Sequence, residues 1–206
     1  MIKPEHVIDY GAILAVLLSL PVLVQGLRRR GTGRKYESLF WVQRAPQIAV
    51  LLNIGVVLVA FEFPRAGTMG LFGQLPSRAV VVVAWCGVGL YLSGLGFLVG
   101  GWYSLRENFS TDAEVLADHS VATGGLYRWV LHPVYSGIGQ ACFGAGLASG
   151  SIISLLITAL LVVPLWYRRA RYEERLLIER FGEQYLRYAE SVHWRRIVPK
   201  FVPVGF

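Results

Sequence analysis

The sequence predicts an all-α, polytopic membrane protein with about five transmembrane helices. Three observations predict it. Hydrophobic residues make up 54% of the 206 positions and charged residues only 16%, against roughly 45–50% and 25% in soluble domains. The apolar residues are gathered into runs long enough to cross a bilayer, which takes roughly 17–25 residues in a helix. Lys and Arg are concentrated beside alternate ends of those runs, the pattern of retention on the cytoplasmic side. Mean hydropathy is +0.50. A net charge of +7 would suit nucleic acid only on a soluble basic face, so no nucleic-acid partner is expected. Cys86 and Cys142 both fall inside apolar runs. With no CxxC or Cys/His spacing, neither a disulfide framework nor a metal site is expected.

The first apolar run is Val7 to Leu27, interrupted by Asp9 and Pro21. Acidic residues before it and Arg28-Arg29-Arg30 after it reverse the charge order of a cleaved signal peptide. The second runs from Pro46 to Phe63, and the third from Arg78 to about Tyr103. Gly87, Gly89, Gly94, Gly96 and Gly100 in the third would admit a closely packed neighbour. The last stretch, Pro133 to Tyr167, is too long for one span. Gly144, Gly146 and Ser149-Gly150-Ser151 split it into a tight hairpin of two short arms.

Basic residues flank the first run's end (Arg28, Arg29, Arg30, Arg34, Lys35, Arg44) and crowd the tail from Arg168 to Lys200. Few lie at the N-terminus or between the second and third runs. This bias and the helix parity both put the N-terminus outside and the C-terminus in the cytoplasm. Residues 1–101 then form the N-terminal helices. Residues 102–206 form a catalytic half: a cytoplasmic loop at 104–131, the hairpin, and a helical tail. In the tail, Tyr172, Leu176, Leu177, Phe181, Tyr185 and Tyr188 recur at helical spacing, and Gly182 allows a break.

Two clusters carry candidate chemistry. In HSVATGGLYRWVLHPVYSG, residues 119–137, Pro133 suits the first turn of a helix, where its missing N–H costs nothing. The free N–H groups there favour an anion, and Gly124-Gly125 would bring backbone close to a ligand. His132 and Tyr135 fall at the membrane boundary, where aromatic anchors are also common. The second cluster is Arg169, Arg171, Glu173 and Glu174 beyond the final apolar run. Arg clamps carboxylates in a bidentate fork, and Glu accepts hydrogen bonds from an amine or ribose. An ion-paired helix at the membrane edge would need the same residues. Both clusters face one compartment and can converge on one pocket.

Over about residues 102–200, GGLYRWVLHPVYSG followed by RRARYEERLLIERFGEQYLRYAESVHWRRIVPKF resembles the isoprenylcysteine carboxyl methyltransferase family, with RENFS at 106–110 as a weaker start. The resemblance implies a membrane-integral methyltransferase using S-adenosylmethionine. It implies a cofactor site of His119, Ser120, Val121, Ala122, Tyr127, His132, Pro133, Val134 and Tyr135, with Glu173 or Glu174 holding a polar group. Arg169 matches the family arginine that faces the acceptor, so Arg169, Glu173 and Glu174 are the implied catalytic set. Leu131 departs from the family, which has Arg before His-Pro; Arg128, one helical turn earlier, is a candidate substitute. The implied acceptor is lipophilic, a prenylcysteine-type carboxylate or a related isoprenoid or lipid, reached among membrane lipids.

A carboxylate, with reference pKa about 4, attacks without a general base. The enzyme's contribution is then alignment and exclusion of water. An amine, thiol or hydroxyl acceptor would require a base, with His132, Tyr135 or a Glu as candidates. Sterol-reductase-like chains share a His-Pro-x-Tyr-x-Gly element and would bind NADPH instead. A non-enzymatic scaffold would fit Leu131. No GxGxxG follows a strand, which excludes a soluble Rossmann methyltransferase.

Overall fold

The computed structural model describes residues 3–29, 40–63, 73, 75–105, 108–110, 112–114, 120–192, 194–195 and 198–199. Its helices are α1 (Pro4–Arg29), the single turn α2 (Phe40–Gln43), α3 (Ala45–Glu62) and α4 (Ser77–Leu105). They continue with α5 (Pro133–Ser149), α6 (Ile152–Phe181) and α7 (Glu183–Ser191). A two-residue antiparallel ladder, Trp194–Arg195 with Val198–Pro199, follows α7.

Four of these, α1, α3, α4 and α6, are long and apolar enough to cross a membrane. Their outer faces carry exposed Leu14, Leu17, Leu51, Leu52, Val82 and Leu160, which is what a lipid-facing surface requires. The fifth expected span, α5, has 17 residues, about 25 Å at 1.5 Å per residue. It differs in kind: thirteen of its residues are buried, because α1, α3, α4 and α6 all pack around it. It is the core helix of an integral membrane fold.

Small residues make that enclosure possible. Gly87, Gly94 and Gly101 repeat every seven residues along α4 and meet Gly144, Gly137 and Val134 of α5. A methyl group added at Gly94 would stand 2.5 Å from the Ala141 backbone nitrogen, and one at Gly144 2.4 Å from that of Tyr91. Gly89 and Gly96, expected at the same contact, have nothing within 4 Å, and Gly100 faces only Leu126. The contact is a seven-residue stripe, narrower than the full run of glycines.

The hairpin turns where expected. Gly150 adopts the left-handed conformation at φ 66°, and the Ser151 N–H closes on the Gly146 carbonyl at 3.0 Å. The Ser151 hydroxyl then accepts the Ser154 N–H at 3.2 Å, capping α6. Inside α6, Thr158–Val162 forms a π-turn, with the Val163 N–H reaching back to the Thr158 carbonyl. Pro164 follows, and its ring would press on the Leu160 carbonyl in an unbroken α-helix; the wider turn relieves that clash. Asn53 of α3 braces the turn, its amide nitrogen within 3.0 Å of the Ser154 carbonyl, the Ser154 hydroxyl and the Thr158 hydroxyl. The tail is not a separate helix. Charged residues from Arg168 onward continue α6 without a break until Gly182, at φ 53°, where α7 begins.

Candidate active site

Trp166, Arg169, Glu173, Leu176 and Leu177 lie three or four residues apart, or multiples of that, on α6, so they share one face. That face lines a cavity of about 250 Å³. Leu131, His132, Val134, Tyr135 and Ile138 close it from the start of α5, and Tyr185 and Tyr188 from α7. Asn108, Ser110, Asp112, Glu114 and residues 120–122 supply a polar wall. Leu23 of α1, Gln47 of α3 and Trp102 and Leu105 of α4 complete the lining. The segment before the hairpin and the charged tail after it thus enclose one space.

At its centre is Arg169, only 3% exposed. Its Nε donates to the Tyr135 hydroxyl at 3.1 Å and to Glu173 Oε1 at 3.2 Å. The Tyr135 hydroxyl donates to the same Glu173 oxygen. The guanidinium also lies 5.4 Å from the centre of the Trp166 ring, a cation–π distance. Tyr135 stacks on His132, centroids 5.2 Å apart and planes 2° from parallel, and packs at 50° against Trp166. His132 Nε2 lies 3.1 Å from Glu174 Oε1. The carboxylate accepts, so Nε2 donates and a neutral ring keeps its lone pair on Nδ1.

The polar walls are pinned as well. The Tyr188 hydroxyl donates to the Tyr127 carbonyl at 2.7 Å, tying α7 to the 3₁₀ turn Gly125–Arg128. Burial pushes the Tyr127 phenol well above its usual 10, and raises Tyr188 in the same way; both stay protonated and are not bases at neutral pH. Asn108 brackets Ser120, donating to its hydroxyl at 3.2 Å and accepting its N–H at 3.0 Å. Buried Gln43 does the same to the backbone of Ala113, at 3.1 and 2.9 Å. The Ser110 hydroxyl donates to Glu114 at 2.6 Å.

Of the residues singled out from sequence, Ser120, Val121, Ala122, Tyr127, His132, Val134, Tyr135, Arg169 and Glu173 line the cavity. His119 lies outside the described residues. Pro133 is fully buried behind the lining, at the first position of α5. Glu174 is also off the cavity surface and bonds His132. Gly125, at φ 57°, packs against Ser104 of α4, and neither it nor Gly124 lines the cavity. Leu131 lines the cavity, whereas Arg128 is exposed and outside it, so Arg128 does not replace the family's arginine there. Sequence reasoning missed Trp166, Gln47, Gln43 and Asn108. Trp166 carried a usable signal: it is one helical turn before Arg169.

The family model for phospholipid methyltransferases matches residues 82–184, half of the chain. Among curated relatives, protein-S-isoprenylcysteine O-methyltransferase of Schizosaccharomyces pombe is 31% identical over 122 residues, covering 54% of this chain and 49% of that protein. The Rattus norvegicus enzyme of that name is 33% identical over 169 residues, 82% of this chain and 49% of that one. An Arabidopsis thaliana relative, protein-S-isoprenylcysteine O-methyltransferase A, is 38% identical over 74 residues, 36% of this chain and 38% of its own. The chain spans about half the length of these relatives, or less. A solved structure of the eukaryotic intramembrane Ras methyltransferase ICMT aligns with 95% of this chain and 85% of that one, at 18% identity and TM-score 0.47. The resemblance carried by the His-Pro-x-Tyr-x-Gly and Arg–Glu pair elements is therefore borne out, and the chain belongs to the phospholipid methyltransferase family.

Proposed function

We propose that this protein transfers a methyl group from S-adenosylmethionine to a lipophilic acceptor, a prenylcysteine-type carboxylate. The observation that carries the reading is the buried Arg169–Tyr135–Glu173 cluster in a cavity closed by both segments that match the methyltransferase relatives. The lining suits the cofactor's chemistry. Carboxylates of Glu173, Glu114 and Asp112 meet ammonium and ribose hydroxyls, and Tyr127, Tyr185 and Tyr188 offer aromatic surface for a base. The residues implied for it are His119, Ser120, Val121, Ala122, Tyr127, His132, Val134, Tyr135 and Glu173, with Pro133 and Glu174 behind them.

Held by these residues, the cofactor would supply an electrophilic sulfonium methyl, and a carboxylate acceptor would need no proton removed. Arg169 holds the carboxylate in line, and its position is fixed by Tyr135 and Glu173. The apolar walls from α1, α4, α5 and α6 exclude water, which favours a reaction that loses charge. Residues 102–206 supply most of this site, facing the cytoplasm, with Leu23 and Gln47 from the first helices.

Titration of the purified protein separately with S-adenosylmethionine and NADPH tests the reading first. Binding of the former alone is expected; binding of NADPH alone would move the chain to the reductases, and binding of neither to a scaffold. Transfer of labelled methyl to farnesylcysteine follows, and the product label should be released by mild alkali, as an ester is. One observation favours a second reading: Leu131 leaves the cavity with less positive charge than the family pattern. A phospholipid amine acceptor would then give an alkali-stable label on a headgroup.

A further inference from the structure

One buried donor in the cavity is left over by the mechanism above. Trp166 is 8% exposed, lines the cavity, and its indole N–H meets no hydrogen-bond partner among the described residues. A buried donor without a partner costs roughly as much as a lost hydrogen bond, and buried indole N–H groups usually find an acceptor. The ring itself is fixed. Arg169 lies over it at 5.4 Å, Tyr135 packs on it at 4.7 Å, and Ala49, Val134, Ile138 and Val162 surround it.

We infer that Trp166 is an acceptor-binding, specificity-determining residue. Its indole N–H donates to a carboxylate oxygen of the methyl acceptor, beside the Arg169 guanidinium. The inference rests on the functional reading above and sharpens it. Trp166 sits one turn nearer the membrane-embedded part of α6 than Arg169, among apolar side chains. A ligand reaching it must be lipophilic with an oxygen at its head, which describes a prenylated carboxylate and not the polar ends of the cofactor. Gln47 Oε1, from the opposite wall, is likewise buried without a partner among the described residues. As an acceptor it would repel a carboxylate, so the indole N–H of Trp166, and not Gln47, marks where the acceptor's head sits.

Trp166→Phe keeps the ring and removes the N–H, and Trp166→His restores a ring N–H. Each is compared with the wild-type chain for farnesylcysteine binding without cofactor, for acceptor KM, and for S-adenosylmethionine affinity. Trp166→Phe should weaken acceptor binding and raise acceptor KM about tenfold, leave cofactor affinity unchanged, and be partly rescued by Trp166→His. Unchanged acceptor binding, or equal loss of cofactor affinity, overturns the inference. Should Trp166→Phe fail to fold, Trp166→Leu, which also lacks a donor, carries the same expectation. The two levels separate cleanly. If the wild-type chain methylates no carboxylate, the functional reading falls and takes this inference with it. If it does so and the Trp166 variants behave as wild type, only the inference falls.

Discussion

Arg169 is the residue on which the local chemistry turns, because its buried charge depends on geometry that lysine cannot copy. The Nε that bonds both Tyr135 and Glu173 has no counterpart in an ammonium, which presents a point charge in place of a planar fork. Arg169→Lys should raise acceptor KM about tenfold while S-adenosylmethionine still binds, as seen by calorimetry beside steady-state kinetics. Equal loss of both would move Arg169 into the cofactor site. Much of this cluster was legible in the sequence, since Arg169, Glu173, His132 and Tyr135 stand at matched spacing around a hairpin. Which Glu faces the cavity was not legible. Glu173 and Glu174 are neighbours about 100° apart on α6; the i,i+4 spacing pairs Glu173 with Arg169, but only the packing of α5 decides that this face meets the cavity and that Glu174 meets His132. Gln43 was invisible, and Asn108 stood in RENFS without a role, for a related reason: they hold backbone seventy and twelve residues away.

Between elements, the α4–α5 contact decides whether the hairpin can be enclosed at all. Its cost structure is asymmetric, because backbone cannot retreat as a flexible side chain can. Gly94→Ala puts a methyl 2.5 Å from backbone, an overpacking expected to cost about 1–3 kcal/mol or more. Gly96→Ala, two residues on and facing open space, should be neutral or stabilising by about 0.4–1 kcal/mol through the unfolded chain. Thermal unfolding in detergent compares the pair, and a similar drop for both would remove the stripe as the explanation. Helix existence was readable from apolar run length, as were the ends except that of α6, which runs on from Tyr167 to Phe181; the face each helix buries was not. Hydropathy in a membrane marks lipid-facing and core-facing positions alike, so five glycines looked equivalent where a seven-residue repeat selects two of them, Gly87 and Gly94, and adds Gly101. The π-turn was equally unreadable. Pro164 predicts a local defect, but the choice of a wide turn over a kink depends on Asn53 of α3 offering its amide to Ser154 and Thr158.

For the whole molecule, the site's placement follows from parity. Residues 108–110, 112, 114 and 120–122 and the α6–α7 tail meet at the cavity, so they occupy one side of the bilayer whatever the hairpin between them does. We propose from the Lys and Arg bias that this side is the cytoplasm. The bias is strong because α6 continues past its apolar part into Arg168, Arg169, Arg171 and Arg175 without a break, and a charged helix extension cannot be drawn into hydrocarbon cheaply. Ser77, at the start of α4, then lies on the opposite face from Gln184 in α7; both are exposed. Single cysteines at these positions, in a chain with Cys86 and Cys142 replaced by alanine, give the test. In intact cells, a membrane-impermeant maleimide should label Ser77→Cys and spare Gln184→Cys until the membrane is opened. Labelling of both from one side would break the five-span parity and detach α4 from its assigned direction. Labelling in the reverse order would keep the helices and turn the site to the outside, away from any cytoplasmic supply of S-adenosylmethionine. The proposed reaction survives only the first outcome, because it needs the pocket on the cofactor's side and the apolar wall of α1, α4, α5 and α6 open to lipid at once.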